Sequence, residues 1–309
     1  MDLKNATHFQ AEIKKHPEWE LEKTIDSSEF SEWLSENFSI CLFCSVLYVA
    51  AVFTGKKYME DKERYNLRQP MMIWSLLLAV FSIFGAIRSA IVMYYLYADG
   101  GMHSVICSKE FYKGPIVRFW GPVFVSSKIL EYMDTMFIIL RKQKLIFLHW
   151  YHHMTVSLFA WWTYGAQFAG GGVFMTVNYA VHAMMYSYYA VRAANIRVPR
   201  WIAVVITASQ IIQMIIGCWT VYAVNIWRGD GSCRSSWEHI FYGGIMYSSY
   251  FVLFLHFFNS AYLNKPRRGK PEARTDASKA TKENGDGVSS NATTPLNGQE
   301  GLRERIKQK

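Results

Sequence analysis

The chain has 309 residues, of which 51% are hydrophobic and 16% aromatic, and its formal net charge is +9. The apolar residues fall in long blocks divided by short basic loops, which excludes an ordinary soluble domain. No alternating pattern supports a β-barrel, so spanning segments must satisfy their backbone hydrogen bonds as helices.

Residues 1–37 are polar and charged and lack the apolar core of a cleaved signal peptide. Seven blocks follow, near 38–55, 71–97, 116–140, 145–165, 172–193, 201–226 and 238–262, and each reaches or approaches the ~20 residues needed to cross the hydrocarbon core. The fold expected is an all-α polytopic membrane protein with seven transmembrane helices over 38–262. Segment 263–309 is rich in Gly, Lys, Asn, Thr and Pro without apolar periodicity and reads as a disordered tail. Positive charge sets the orientation. Lys56, Lys57, Lys62, Arg64 and Arg68, then RKQK at 141–144, then Arg192, Arg197 and Arg200 mark one side, which predicts a cytosolic C-terminus and a lumenal N-terminus. The closing RIKQK resembles a dibasic retrieval signal of the endoplasmic reticulum. Asn5 and Asn37 head sequons on the predicted lumenal side, Asn37 close to the membrane. Cys107 and Cys233 are the cysteines of the predicted lumenal loops and are expected to pair, whereas Cys41, Cys44 and Cys218 read as apolar fillers.

Ionisable groups inside spans are costly and therefore candidates for function. The third span carries Lys128, Glu131 and Asp134 every three residues, with Thr135 beside them. The fourth opens with HWYHH, which places His149, His152 and His153 on one helical face. The fifth carries Asn178 and His182, four residues apart, with Tyr179 and Tyr186 nearby; the sixth carries Gln210 and Gln213. The charged triplet could equally neutralise itself and bridge helices, and the amides could be interhelical glue. Arg88 and His256 stand alone in their spans and read as structural. At ~1.5 Å per residue the histidines and the acidic pair lie at comparable depth near the RKQK loop, with His182 and Gln210 deeper. One chamber could unite them, open to the cytosol, with an apolar floor towards the lumen that suits a charged head and a long apolar tail. Trp161, Trp162, Phe174 and Trp219 are candidates to close it.

Three imidazoles can bind zinc, but three ligands at these spacings on one helix crowd each other. A di-iron centre of the desaturase type needs more histidines than the chamber can gather, since His8, His16, His103 and His239 lie in predicted lumenal segments. No metal is expected. Imidazole acting as nucleophile or acid–base group is the better reading.

KILEYMDT (128–135), HWYHH (149–153), NYAVHAMMY (178–186) and TASQIIQ (207–213) together resemble the signature boxes of the ELO fatty acid elongases, over roughly residues 30–263. The chain is most similar to the branch extending saturated and monounsaturated acyl chains. Lys144 and Trp150 stand where the polyunsaturate branch carries Gln and Val. The resemblance implies condensation of a long-chain acyl-CoA, palmitoyl-CoA foremost, with malonyl-CoA in the endoplasmic reticulum membrane. The products are 3-oxoacyl-CoA, CoA and carbon dioxide. It implies His149, His152, His153 and His182 as catalytic groups, and Lys128, Glu131, Asp134, Asn178, Tyr179, Gln210 and Gln213 as substrate-binding groups. Malonyl-CoA is then a co-substrate and no cofactor is expected. Further implied partners are the ketoacyl-CoA reductase, hydroxyacyl-CoA dehydratase and enoyl-CoA reductase of the cycle, and a second copy of the chain; nucleic acid is not expected. The alternatives are a metal-dependent lipid oxidase or desaturase and a proton-coupled transporter.

Overall fold

The structure is a computed structural model and describes residues 9, 12–13, 15–25, 27–229, 231 and 233–264. Asn5 and the terminal RIKQK lie outside the described residues. No strand occurs among them. A 3-10 turn, Glu20–Lys23, leads into α1 (Ser27–Glu36), α2 (Phe38–Tyr58), α3 (Arg68–Cys107) and the single turn α4 (Glu110–Lys113). Next come α5 (Pro115–Leu130), α6 (Tyr132–Leu140), α7 (Phe147–Gly165), α8 (Gly171–Ala193), α9 (Arg200–Gly229) and α10 (Trp237–Phe258), which runs on as a π turn, Asn259–Leu263.

Among the described residues, four helices are long and apolar enough to cross a membrane: Phe38–Tyr58, Arg68–Cys107, Arg200–Gly229 and Trp237–Leu263. They carry large apolar side chains outward. On α2 alone, Leu42, Phe43, Val46, Leu47 and Phe53 are exposed, a pattern that water would penalise and lipid would not. Four such helices mark the chain as a multi-pass membrane protein. α5 (16 residues) and α6 (9 residues) are each shorter than a spanning helix, and α7 and α8 carry the imidazoles and Asn178.

The helices depart from the expected blocks at three places. The 116–140 block divides at Glu131, where α5 ends and α6 begins. The second block extends to Cys107 but breaks at Gly100 and Gly101; Gly101 has φ 61° and ψ −154°, a conformation that needs glycine. The N-terminal segment is not detached from the helices. Glu22 is wholly buried and pairs with Arg88 of α3, accepting from its Nε at 2.7 Å and from a guanidinium NH2 at 2.5 Å. The same carboxylate accepts from Trp120 Nε1 at 2.6 Å, and the Arg88 guanidinium lies over the Trp19 ring. Arg88 is thus structural, partnered from outside its helix. Asn37 opens α2 and donates from Nδ2 to the Trp33 carbonyl at 2.9 Å.

Two close packings fix the interior. α3 lies along α8 at Gly85, where an added Cβ would stand 2.5 Å from the Tyr179 ring. α6 packs on α2 through the stacked rings of Tyr48 and Tyr132, 4.0 Å apart, and Tyr132 is hydrogen-bonded to Ser157 of α7.

Candidate active site

The histidine cluster opens α7, whose N-cap Ile146 is extended. Successive residues on a helix turn by ~100°, so His152 and His153 face different neighbours. His152 points towards α10: its ring lies 4.8 Å from the Tyr250 ring, and Tyr250 Oη donates to the His152 carbonyl at 3.3 Å. His149 turns to α6, with Nε2 3.1 Å from Thr135 Oγ1, which is itself 2.7 Å from Tyr48 Oη. His153 is buried between them, its ring centre 4.5 Å from that of His149, and its Nδ1 has no hydrogen-bond partner.

Across from α7, Lys128 of α5 is buried and donates to Glu131 Oε1 at 2.7 Å and to Asn178 Oδ1 of α8 at 2.9 Å. His182 Nδ1 lies 3.7 Å from the same Glu131 oxygen, one helical turn beyond Asn178. The stripe therefore splits. Lys128 and Glu131 join Asn178 and His182. Asp134 instead accepts from Trp74 Nε1 at 2.7 Å and from Tyr186 Oη at 2.6 Å, and orients no histidine. Among the described residues, no three side chains of metal-ligating type converge to hold an ion.

Beside this group lies a cavity between α4, α5, α7, α8, α9 and α10, with an empty volume, open solvent included, of about 660 Å³; Asn178 lines it, whereas Lys128, Glu131 and His182 stand behind its wall. His152, Asn178, Gln213 and Tyr250 line it, as do Tyr112, Thr163 and Tyr164. Its walls are apolar, formed by Val156, Phe159, Phe174, Met175, Met214 and Met246 among others. A largely apolar cavity that carries a few polar side chains suits an amphipathic ligand with a reactive head.

Several expected residues lie elsewhere. Tyr179 is buried but does not line the cavity, because its hydroxyl donates to the Trp120 carbonyl at 2.9 Å and its ring fills the space over Gly85. Gln210 points to Met185 Sδ at 3.3 Å, one turn away from the cavity-lining Gln213. Of the residues expected to close the chamber, only Phe174 lines it. Trp161 donates to the Leu34 carbonyl, Trp162 stacks on His239, and Trp219 faces outward. Tyr250, Tyr247 and Trp74 escape sequence reading, since an aromatic residue in an apolar span carries no sign of which face it occupies. Cys107 and Cys233 are joined by a disulfide. On the predicted cytosolic side, Lys142 donates to the carbonyls of Glu60 and Lys62, tying the RKQK loop to the 59–66 connection.

Comparison with known proteins bears on what this cavity serves. Very long chain fatty acid elongase 6 of Homo sapiens is 50% identical over 251 residues, covering 81% of this chain and 95% of that protein. The elongase of the same name from Gallus gallus is 50% identical over 253 residues, covering 82% and 96%. Its Drosophila melanogaster namesake is 42% identical over 240 residues, covering 75% of each. The model of the "ELO: GNS1/SUR4 family" matches residues 33–270, a span that takes in the histidine cluster, the Lys128–Glu131–Asn178 group and the whole cavity. The chain belongs to this family of very long chain fatty acid elongases, acyltransferases of the condensation step.

Proposed function

We infer that this elongase condenses a saturated or monounsaturated long-chain acyl-CoA, palmitoyl-CoA foremost, with malonyl-CoA in the endoplasmic reticulum membrane. The products are 3-oxoacyl-CoA, carbon dioxide and CoA. The observation that carries the reading is the position of His152, an imidazole that lines a largely apolar cavity together with Asn178, Gln213 and Tyr250. The names of the relatives support the choice of chain.

In this reading the acyl tail fills the cavity and its thioester carbonyl meets His152. The imidazole attacks that carbon, the C–S bond breaks, and the thiolate leaves with a proton as CoA. Malonyl-CoA then enters as co-substrate. Its carboxylate leaves as carbon dioxide, and the electron pair released forms an enolate. The enolate carbon attacks the acyl carbon, and the C–N bond to His152 breaks. Lys128, placed by Glu131 and Asn178, stabilises developing negative charge, and His182 acts as the acid–base group beside it. His149 and His153 pack behind His152 and set its orientation. No metal or cofactor takes part.

Seven spans, a lumenal N-terminus and a cytosolic basic rim for the CoA phosphates complete the proposal. The 3-oxo product requires a reductase, a dehydratase and a second reductase downstream, and the chain acts beside them, alone or as a homodimer. The test is malonyl-CoA-dependent formation of 3-oxoacyl-CoA by purified protein, with palmitoyl-CoA set against a polyunsaturated acyl-CoA. Preference for the polyunsaturated chain would overturn the assignment of substrate.

A further inference from the structure

The far end of the cavity is closed by a loop, and the loop is built to hold still. On α7 the cavity is lined by His152, Val156, Phe159, Ala160, Thr163 and Tyr164, a single stripe at helical spacing. From His152 to Tyr164 the helix advances ~18 Å. There the stripe meets Phe111 and Tyr112 of α4, which line the same cavity and are both buried. These two residues are not part of any long helix; they project from the short connection between α3 and α5.

Three independent ties fix that connection. Tyr112 Oη donates to the Phe168 carbonyl at 2.9 Å. Gly170 N donates to the Ile106 carbonyl at 2.7 Å. The Cys107–Cys233 disulfide joins it to the loop between α9 and α10, whose Ser235 Oγ in turn accepts from Ala169 N at 3.1 Å. The rings themselves rest on bare backbone. A Cβ on Gly171 would stand 1.9 Å from Tyr112 Oη, and one on Gly172 would stand 2.9 Å from the Phe111 ring. Glycine at both positions lets the two rings seat against the first turn of α8, across the line of the cavity.

We propose that Phe111 and Tyr112 are the chain-length stop of this enzyme. The terminal methyl of the acyl chain abuts these two rings, and the disulfide-tied connection keeps them from yielding to a longer chain. The proposal rests on the reading that the cavity holds the acyl tail. The ~18 Å between His152 and Tyr164 matches an extended saturated chain of about 15 carbons, close to a palmitoyl group. The aromatic stop lies on a connection, not on a spanning helix, so preference can change by substitution there without disturbing the chemistry at His152.

The experiment uses the purified full chain with malonyl-CoA and, separately, myristoyl-, palmitoyl-, stearoyl- and eicosanoyl-CoA. Phe111→Ala and Tyr112→Ala are expected to raise the ratio of stearoyl and eicosanoyl to palmitoyl turnover by about ten-fold or more, as expected when room is made for added methylenes. Thr163→Phe, which fills the cavity short of the floor, should shift preference towards myristoyl-CoA. If the alanine variants fail to fold, Phe111→Leu keeps the packing and should shift the ratio in the same direction by less. An unchanged ratio in a folded, palmitoyl-active Phe111 or Tyr112 variant overturns the stop, even where Thr163→Phe shortens the preference. If Thr163→Phe also leaves the preference unchanged, the assignment of the cavity to the acyl tail falls with it. A wild-type protein that forms no 3-oxo product from any of these substrates overturns the proposed function itself.

Discussion

Lys128 Nζ lies 2.9 Å from Asn178 Oδ1, which joins α5 to α8 through two buried side chains. The same ammonium is 2.7 Å from Glu131. Removing one member of a buried ion pair leaves the other charge uncompensated, at a cost of about 3–5 kcal/mol. Lys128→Met is therefore expected to lower thermal stability sharply. Lys128→Met combined with Glu131→Gln should recover most of that loss while remaining inactive in condensation. Thermal unfolding of the three proteins checks the pattern, and equal instability of single and double variants would contradict it.

Glu22 and Arg88 form a second buried pair, which docks the N-terminal segment onto α3. Arg88→Leu should destabilise the protein by a similar ~3–5 kcal/mol and expose residues 15–25 to limited proteolysis, with cleavage read by mass spectrometry. Resistance equal to wild type would show that the segment is held by other contacts.

Asp134 accepts two hydrogen bonds, from Trp74 and Tyr186, and each donor would be left without its acceptor on substitution. Asp134→Ala is expected to cost about 1–3 kcal/mol per unsatisfied donor. Because Asp134 orients no histidine, the surviving folded fraction should acylate at a near-normal rate. A stability loss without a matching loss of acylation rate separates this role from a catalytic one.

The Cys107–Cys233 bond encloses a stretch with a sequence separation of 126 residues. Closing so long a loop restricts the unfolded chain by about 4–5 kcal/mol on the chain-entropy estimate. Cys107→Ser and Cys233→Ser should each lower the unfolding temperature, and the double variant should lower it no further. Additive losses would mean that the two thiols act separately.

Gly85 faces the Tyr179 ring, whose hydroxyl is tied to the Trp120 carbonyl and cannot withdraw freely. Gly85→Ala should cost about 1–3 kcal/mol through overpacking. Gly85→Ala with Tyr179→Leu, which makes room, should recover part of that stability by the same unfolding assay.

The helical blocks were legible because apolar length alone marks a helix that must satisfy its own backbone in lipid. The candidate site residues stand out in the sequence because charge and imidazole are rare within apolar segments. What pattern could not supply was direction. Tyr179 and Asn178 are neighbours in sequence, yet one packs under α3 and the other lines the cavity; Gln210 and Gln213 divide in the same way. Partners remote in sequence were also hidden: nothing marks Glu22 as the counter-charge of Arg88, 66 residues away. The floor of the cavity escaped because Phe111 and Tyr112 sit in a short connection, where aromatic residues follow no helical period. The tryptophans expected there are instead engaged by Leu34 and His239 or face outward.

The covalent route requires His152 to carry the acyl group. Purified protein incubated with palmitoyl-CoA alone, without malonyl-CoA, should release CoA and gain the mass of one palmitoyl group, measured on the intact chain. His152→Ala should show neither change. No adduct and no CoA release until malonyl-CoA is added would contradict the covalent route and leave His152 as an acid–base group acting on two bound thioesters.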